Sequence, residues 1–455
     1  MVQRLFTLAL LAFCLADGSA AGEEPAWKAG VAKVKITPEK LMWMSGYGNR
    51  TKPAEAKLDD LWAKALVLED ADGKRVVLVT MDLVGIARDL SQAVCAELKK
   101  KYGLSRDAVV LAVSHTHSGP VVGNNLRTMF DLDEAQQKLV DEYAATLQKN
   151  LVSVVGAALD DLAPARVEWG NGQATFAVNR RNNKEADVPK LREAGELKGP
   201  VDHDLPVLAV RDAKGELRAV VCGYACHATV LDGMQWSGDY PGYAHVALEK
   251  AHPHAVALFW AGCGADQNPV PRRKVALAEE YGKTLADGVE AVLRAPMTPL
   301  KGQLRSAYTE IDLPLAELPS RDQLVKDSMD KNRFIAIRAK MLLKKLDKEG
   351  SLAGTYPYPV QAWQLGSELT FVALGGEVVV DYSLRLKKEL GRENTWVAGY
   401  TNDVMAYIPS LRVLKEGGYE GGGAMVYYGL PTVWGPKVEE LIVAAVHEQV
   451  KKVRK

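Results

Sequence analysis

Residues 112–123 read AVSHTHSGPVVG and carry two of the chain's eight histidines, His115 and His117, between an apolar run and a Gly-Pro turn. Side chains at i and i+2 of an extended segment point the same way, so both imidazoles would face one cleft. Imidazole is the commonest zinc ligand, and the pair would give one ligand and one adjacent proton donor. Alone, the stretch reads equally as a polar turn with two solvated histidines. It lacks the Asp-His that completes the H-x-H-x-D-H pattern of many binuclear hydrolases. That argues against a two-metal centre.

Other apolar runs end in polar residues as well. VLVTMD ends in Asp82, VCGYACH in His227, LFWAGCGADQN in Asp266, Gln267 and Asn268, and FVALGGE in Glu377. In α/β sheets the carboxyl ends of strands are where ligands bind. A histidine such as His227 is by itself more often a core residue. Glu377 is different, because a carboxylate closing so apolar a run must be paired or bound to a metal. Two histidines and a glutamate form the usual protein ligand set of catalytic zinc, with a position left open for water. Arg180, in FAVNRRNN, could clamp a carboxylate or an oxyanion, and Tyr407, in AGYTNDVMAYIP, reads alone as structural. His203, His245, His252, His254 and His447 have no such company.

These residues need elements to carry them. RVVLVTMDLVG, DAVVLAVSHTH, RAVVCGYACHA, AVALFWAGCGAD and LTFVALGGEV are continuously apolar, as expected of strands covered on both faces. Between them, Leu90, Val94 and Leu98 repeat at helical spacing and Gly103 supplies a stop. A longer stripe runs over 134–159, another over 274–293, and the capping-box sequence SRDQ at Ser320 opens a helix predicted to run to Leu346. The pattern is α/β: a mixed β-sheet core flanked by helices in a single large catalytic domain over 22–455. The polar stretch 179–200 reads as a binding loop or lid, and 417–423 as a flexible Gly-rich spot.

Lys plus Arg balances Asp plus Glu, 57 against 57. That leaves no electrostatic footprint for nucleic acid or for anionic membranes. The first 21 residues have a basic start, an apolar middle and a small-residue exit, the pattern of a secretory signal peptide. Cys14 suggests lipidation, but bulky Phe13 stands where a small residue belongs. No later run would span a bilayer, so the expectation is an exported protein, periplasmic or extracellular. Cys222 and Cys226 share one apparent strand, where their separation of roughly 13 Å forbids a mutual disulfide. They read, with Cys95 and Cys263, as small buried hydrophobes.

GVAKVKITP, MDLVGI, SHTHSGP, NRR, CHAT, GCGADQNP, GGEVV and YTNDVMAYI, in that order, resemble the catalytic N-terminal domain of the neutral (non-lysosomal) ceramidase family. The resemblance runs from about Trp27 to past Gly423. It implies one zinc ion held by His115, His227, Glu377 and Tyr407, with His117, Asp82 and Arg180 lining the site. It also implies hydrolysis of the amide joining a fatty acid to a sphingoid base. Two features depart from the family. Its Gly-Asp-Val-Ser-Pro-Asn motif has a serine needed for activity where this chain has Gln267, whose amide could only position a substrate or an oxyanion. Nor does the chain have room for the family's C-terminal immunoglobulin-like domain.

The expectation is therefore a zinc-dependent amidohydrolase acting on an N-acyl sphingoid base or a related N-acyl compound. Water activated by the metal attacks the carbonyl, Tyr407 or His117 helps stabilise the oxyanion, and His117 protonates the leaving amine. Asp82 would orient a ligand or a proton donor. Two alternatives stay open: a non-catalytic, zinc-stabilised module that binds lipid or glycan, and a hydrolase of a sugar-linked amide or ester. The partner is a small-molecule or lipid substrate in either enzymatic reading, and the oligomeric state is undetermined.

Overall fold

The Val- and Leu-rich runs become strands because each finds an apolar cover on both faces. Residues 27–455 are described, in a computed structural model; the expected signal peptide and Cys14 lie outside the described residues. The first half of the chain forms β1 (Trp27–Lys35), β2 (Trp62–Glu69), β3 (Arg75–Met81), α1 (Arg88–Tyr102), β4 (Val109–Val113), α2 (Glu134–Asp160), β5 (Ala163–Gln173), β6 (Asp204–Arg211) and β7 (Leu217–Tyr224). Then come α3 (Asp239–Ala251), β8 (Val256–Ala261), α4 (Val275–Arg294), β9 (Leu304–Pro314), α5 (Arg333–Glu349), β10 (Thr355–Leu365), β11 (Leu369–Leu374), α6 (Val380–Leu390), β12 (Thr395–Ala398) and α7 (Val438–Val453). Shorter elements join them.

Two mixed sheets result. The larger runs β8-β7-β6-β5-β1-β2-β3-β4, and the smaller runs β9-β10-β11-β12. The β3–β4, β7–β8 and β11–β12 pairs are parallel and the other neighbours antiparallel. The expected sheet-and-helix core is present, and it is built in four layers. Val77, Val79 and Val113 of the large sheet pack with Leu98, Leu151 and Leu285 of its helices. Its opposite face, with Leu78, Val110 and Trp260, meets Trp363, Phe371 and Trp396 of the small sheet. The small sheet's outer face, with Val360 and Val372, packs on Leu386 and Val446 of α6 and α7. An apolar run does not reveal whether its second cover is a helix or another sheet.

β4 and β8 are opposite edges of the large sheet, yet they contact one another. The chain leaving β12 closes the gap between them. Gly399 N–H donates to Ala261 O at 3.0 Å, and Val113 N–H to Tyr400 O at 3.3 Å. Bridges Gly262–Ala398 and Ala112–Thr401 continue the seam. The carboxyl ends of β4, β7, β8 and β11 are thereby gathered in one place.

α1 ends at Gly103 in the left-handed conformation, and α2 and α4 match the helical stripes to within a residue. The helix predicted from Ser320 to Leu346 is instead two. Ser320 caps Arg321–Asp327, and Asn332 caps α5 through a bond from Phe334 N–H at 3.0 Å. Asp330 accepts from Asn332 N–H, so short polar side chains capture the backbone at 328–332 and break the run. Cys95, Cys222, Cys226 and Cys263 are buried free thiols.

Candidate metal centre

His115 follows β4, His227 follows β7, and Glu377 follows β11 after two glycines. Tyr407 pairs directly with Glu377 in a short parallel bridge. The i, i+2 argument for the histidine pair reaches the right result by another route. His115 has φ 60°, in the left-handed region, so the segment is not extended. The turn still brings His117 Nε2 to 3.1 Å from His115 Nε2. Positive φ in a residue with a Cβ is strained and clusters at functional sites. Gly46 (φ 97°) leaves the room His117 needs, because a Cβ there would lie 2.5 Å from its ring.

His115, His117 and His227 have ring nitrogens within 4.8 Å of one another, a group able to hold a metal ion. Two of the rings have fixed tautomers. His115 Nδ1 faces Val84 O at 2.5 Å and His227 Nδ1 faces Gly264 O at 2.8 Å. A carbonyl only accepts, so each Nδ1 carries the proton and each Nε2 presents a lone pair. Both lone pairs face Glu377 Oε2, at 3.1 Å from His115 and 3.2 Å from His227. In a buried site three acceptors turned on one another need a cation or a proton between them. Glu377 Oε2 has no hydrogen-bond donor among the described residues. The donor set fits a divalent cation.

Burial lowers the pKa of His227 to about 4 and holds that of His117 well below the usual imidazole value, so both imidazoles are neutral. Tyr407 Oη lies 3.3 Å from His227 Nε2 and accepts from Arg180 at 3.1 Å. Arg180 also donates to Glu420 (2.7 Å) and to Asn268 Oδ1 (3.2 Å).

His115, His117, His227 and Glu377 therefore meet in one cluster, with Tyr407 against His227 and Arg180 one bond further out. Gln267 and Asp82 are engaged elsewhere. Gln267 is fully buried and braces the backbone at both ends of its amide, donating to Ala225 O and accepting from Asp202 N–H at 2.9 Å. Both ends of the amide are thus engaged with backbone, and Gln267 is not among the residues lining the cleft. Asp82 accepts from Trp62 N–H at 2.9 Å, and no bond joins it to the histidines among the described residues. Desolvation raises its pKa to about 7. Asp266, at another strand end, accepts from Val380 N–H at the start of α6.

Tyr428 escaped the sequence analysis. Its hydroxyl donates to Glu377 Oε1, which leaves Oε2 for the histidines. Only its place after the Gly-rich 417–423 stretch could have drawn attention to it. Thr229 was also missed. It is 2% exposed, its hydroxyl has no partner among the described residues, and it lines the cleft.

That cleft, of about 640 Å³, reaches His117 and Tyr407 from solvent. The expected 179–200 loop contributes Arg180, Arg181, Lys184 and Glu185 to its walls, and the Gly-rich stretch contributes Tyr419 and Glu420. An apolar cavity lined by Trp260, Trp363 and Phe371 lies between the two sheets, and at about 30 Å³ it has room for little more than water.

A family model described as neutral/alkaline non-lysosomal ceramidase, N-terminal, matches residues 27–264, just over half of the chain. The neutral ceramidase of Pseudomonas aeruginosa is 30% identical over 254 residues, 54% of this chain and 37% of that protein. The Drosophila melanogaster neutral ceramidase is 26% identical over 255 residues, 54% of this chain and 35% of the relative. These matches thus span little more than a third of the relatives' own length. The crystal structure of the Pseudomonas aeruginosa neutral ceramidase superposes with a TM-score of 0.73 at 21% identity, covering 95% of this chain and 75% of that one. The fold likeness extends beyond the sequence match to the segments that carry Glu377 and Tyr407. On the match over 27–264, this chain belongs to the neutral/alkaline non-lysosomal ceramidase family.

Proposed function

We propose that the protein is a zinc-dependent amidohydrolase that cleaves an N-acyl compound to a carboxylate and an amine. The observation that carries this reading is the facing of Glu377 Oε2 by two Nε2 lone pairs whose tautomers backbone carbonyls fix. His115, His227, Glu377 and Tyr407 would hold the ion. A zinc ion bound there supplies Lewis acidity and activates water for attack on a carbonyl.

The chain's own residues have separable parts in this scheme. His117 is the one histidine of the three with no carbonyl on Nδ1, and that nitrogen has no partner among the described residues. Its tautomer is free to change, as a proton carrier requires. Neutral His117 takes a proton from the attacking water and returns it to the amine nitrogen as the C–N bond breaks. Arg180, through Tyr407, holds positive charge beside the developing oxyanion. Gln267 in place of a serine removes nothing from this scheme, because no protein nucleophile is used.

The test is hydrolysis of a panel of N-acyl amides by the zinc-loaded protein. Turnover that a chelator abolishes and added zinc restores is expected, together with its loss in His115→Ala. Amide binding without turnover across the panel would instead support a non-catalytic module. Ceramide, the substrate named by the relatives, belongs in the panel. Export, with residues 1–21 removed, is part of the same proposal and is read by N-terminal sequencing of the secreted protein.

A further inference from the structure

Charge that balances over the whole chain does not balance everywhere. Residues 320–350, which hold the capped helix Arg321–Asp327 and α5, carry nine Lys or Arg against five Asp or Glu, in a chain with 57 of each. The apolar side of this helical hairpin is already covered. Leu324, Ala339 and Leu342 are buried in a small core of their own, with Met341, Leu343 and Leu346 packed against it. What the hairpin leaves to solvent is its basic face.

At about 100° per residue, Arg333, Lys340, Lys344 and Lys348 fall within an arc of about 80° and form one stripe along α5. All four are exposed, and none makes an ion pair among the described residues. The acids of α5 are spent on other cations, Asp347 on Arg321 at 2.6 Å and Glu349 on Lys345 at 3.9 Å. In the hairpin's other half, Asp327 holds the Gln323 amide and Asp330 the Asn332 N–H. Like charges four residues apart disfavour a helix, and an anionic surface laid against the stripe removes that repulsion. Met329 stands between Lys326 and Lys331 on the turn that leads into the stripe. Single exposed apolar side chains are ordinary, but this one is 75% exposed, the most of any large apolar residue among those described. The same end of the hairpin adjoins the metal cleft. Arg333 donates to Gly48 O, and the Phe334 ring meets that of Tyr427 edge-on at 4.9 Å. Gly46 and Tyr47 line the cleft, as does Tyr419, whose ring lies 6.2 Å from that of Tyr427.

We infer that this hairpin docks the protein on an anionic lipid bilayer, with the basic stripe against the head groups and Met329 at the interface. The cleft's edge is thereby held at the membrane. Lysines near an anionic leaflet are drawn to it, and an apolar side chain beside them enters the region beneath the head groups. An acidic protein or a nucleic acid would use the stripe and leave Met329 in water. Docking needs no turnover, so the inference stands apart from the hydrolase reading.

The experiment is flotation of the protein, with residues 1–21 removed in every sample, on phosphatidylcholine vesicles with and without about 30% phosphatidylglycerol. Expected is binding to the anionic vesicles at least about tenfold tighter than to the neutral ones, weakening as salt is raised. Lys340→Glu/Lys344→Glu/Lys348→Glu should fall to the neutral-vesicle level. The charge-matched Lys99→Glu/Lys100→Glu/Lys149→Glu, at exposed positions of α1 and α2, should bind as the parent does. Lys344→Gln alone should cost about fivefold, the worth of one lysine near an anionic surface, and it tests the stripe even if the triple variant fails to fold. Met329→Ser should weaken binding severalfold. Equal binding to both vesicles, equal loss in the two triple variants, or no loss in Lys344→Gln overturns the inference. Unchanged binding in Met329→Ser, or tighter binding to heparin than to the anionic vesicles, assigns the stripe to a soluble polyanion and overturns it as well.

Discussion

At Glu377 the two carboxylate oxygens have different partners, Tyr428 on Oε1 and two histidines on Oε2. Tyr428→Phe removes the donor that fixes this division. Loss of such an outer partner weakens metal binding by about 10- to 100-fold, so zinc competition with a chelator should show a drop in that range with the thermal midpoint of the zinc-free protein little changed. His115→Ala or His227→Ala should lose both zinc and activity, read by metal analysis of the purified protein. Gln267→Ala should keep its zinc but lose about 1–3 kcal/mol of stability in denaturant unfolding, because two backbone groups lose their buried partner. Asp82 makes a pH prediction. Burial raises its pKa from 3.8 to about 7, so its contribution is fully present below the unfolded value and is lost as pH rises through 7. Asp82→Asn keeps an acceptor for Trp62 N–H and removes that loss. The variant should therefore gain stability relative to the parent between pH 5 and 8, as measured by urea unfolding across that window.

The elements that were legible in the chain are those with strong local signals. The stripe ending in Gly103 became α1, and the unbroken apolar runs became strands covered on both faces. The strand-end polar residues were legible as a group but not one by one. His115, His227 and Glu377 converge, whereas Asp82 and Asp266 are consumed by backbone N–H groups of β2 and α6. Nothing in a residue's type separates those two fates, since a buried carboxylate must find donors in either case. The second sheet was hidden for a similar reason, and Tyr428 because the helix it ends, Met425–Tyr428, is too short to show a periodicity. Gly46 offers the test at this scale. Gly46→Ala should displace His117 and reduce kcat far more than zinc content, as the added methyl meets a ring and not one of the expected ligands.

For the molecule as a whole, the expected ligands come from both sheets: His115 and His227 from the large one, Glu377 and Tyr407 from segments attached to the small one. Zinc bound by such a set stabilises the docked sheets by RT ln(1 + [Zn]/Kd), about 2.7 kcal/mol at a hundredfold excess over Kd. Chelation should lower the thermal midpoint, and the shift should be absent in His227→Ala. The seam made by residues 398–402 between β4 and β8 has a temporal corollary. During ribosomal synthesis the imidazoles emerge long before Glu377, and the plug that joins the sheet's two rims emerges later still. A nascent or truncated polypeptide therefore carries half a claw, and competence to capture the ion is acquired only when the last third of the translation product has threaded into place.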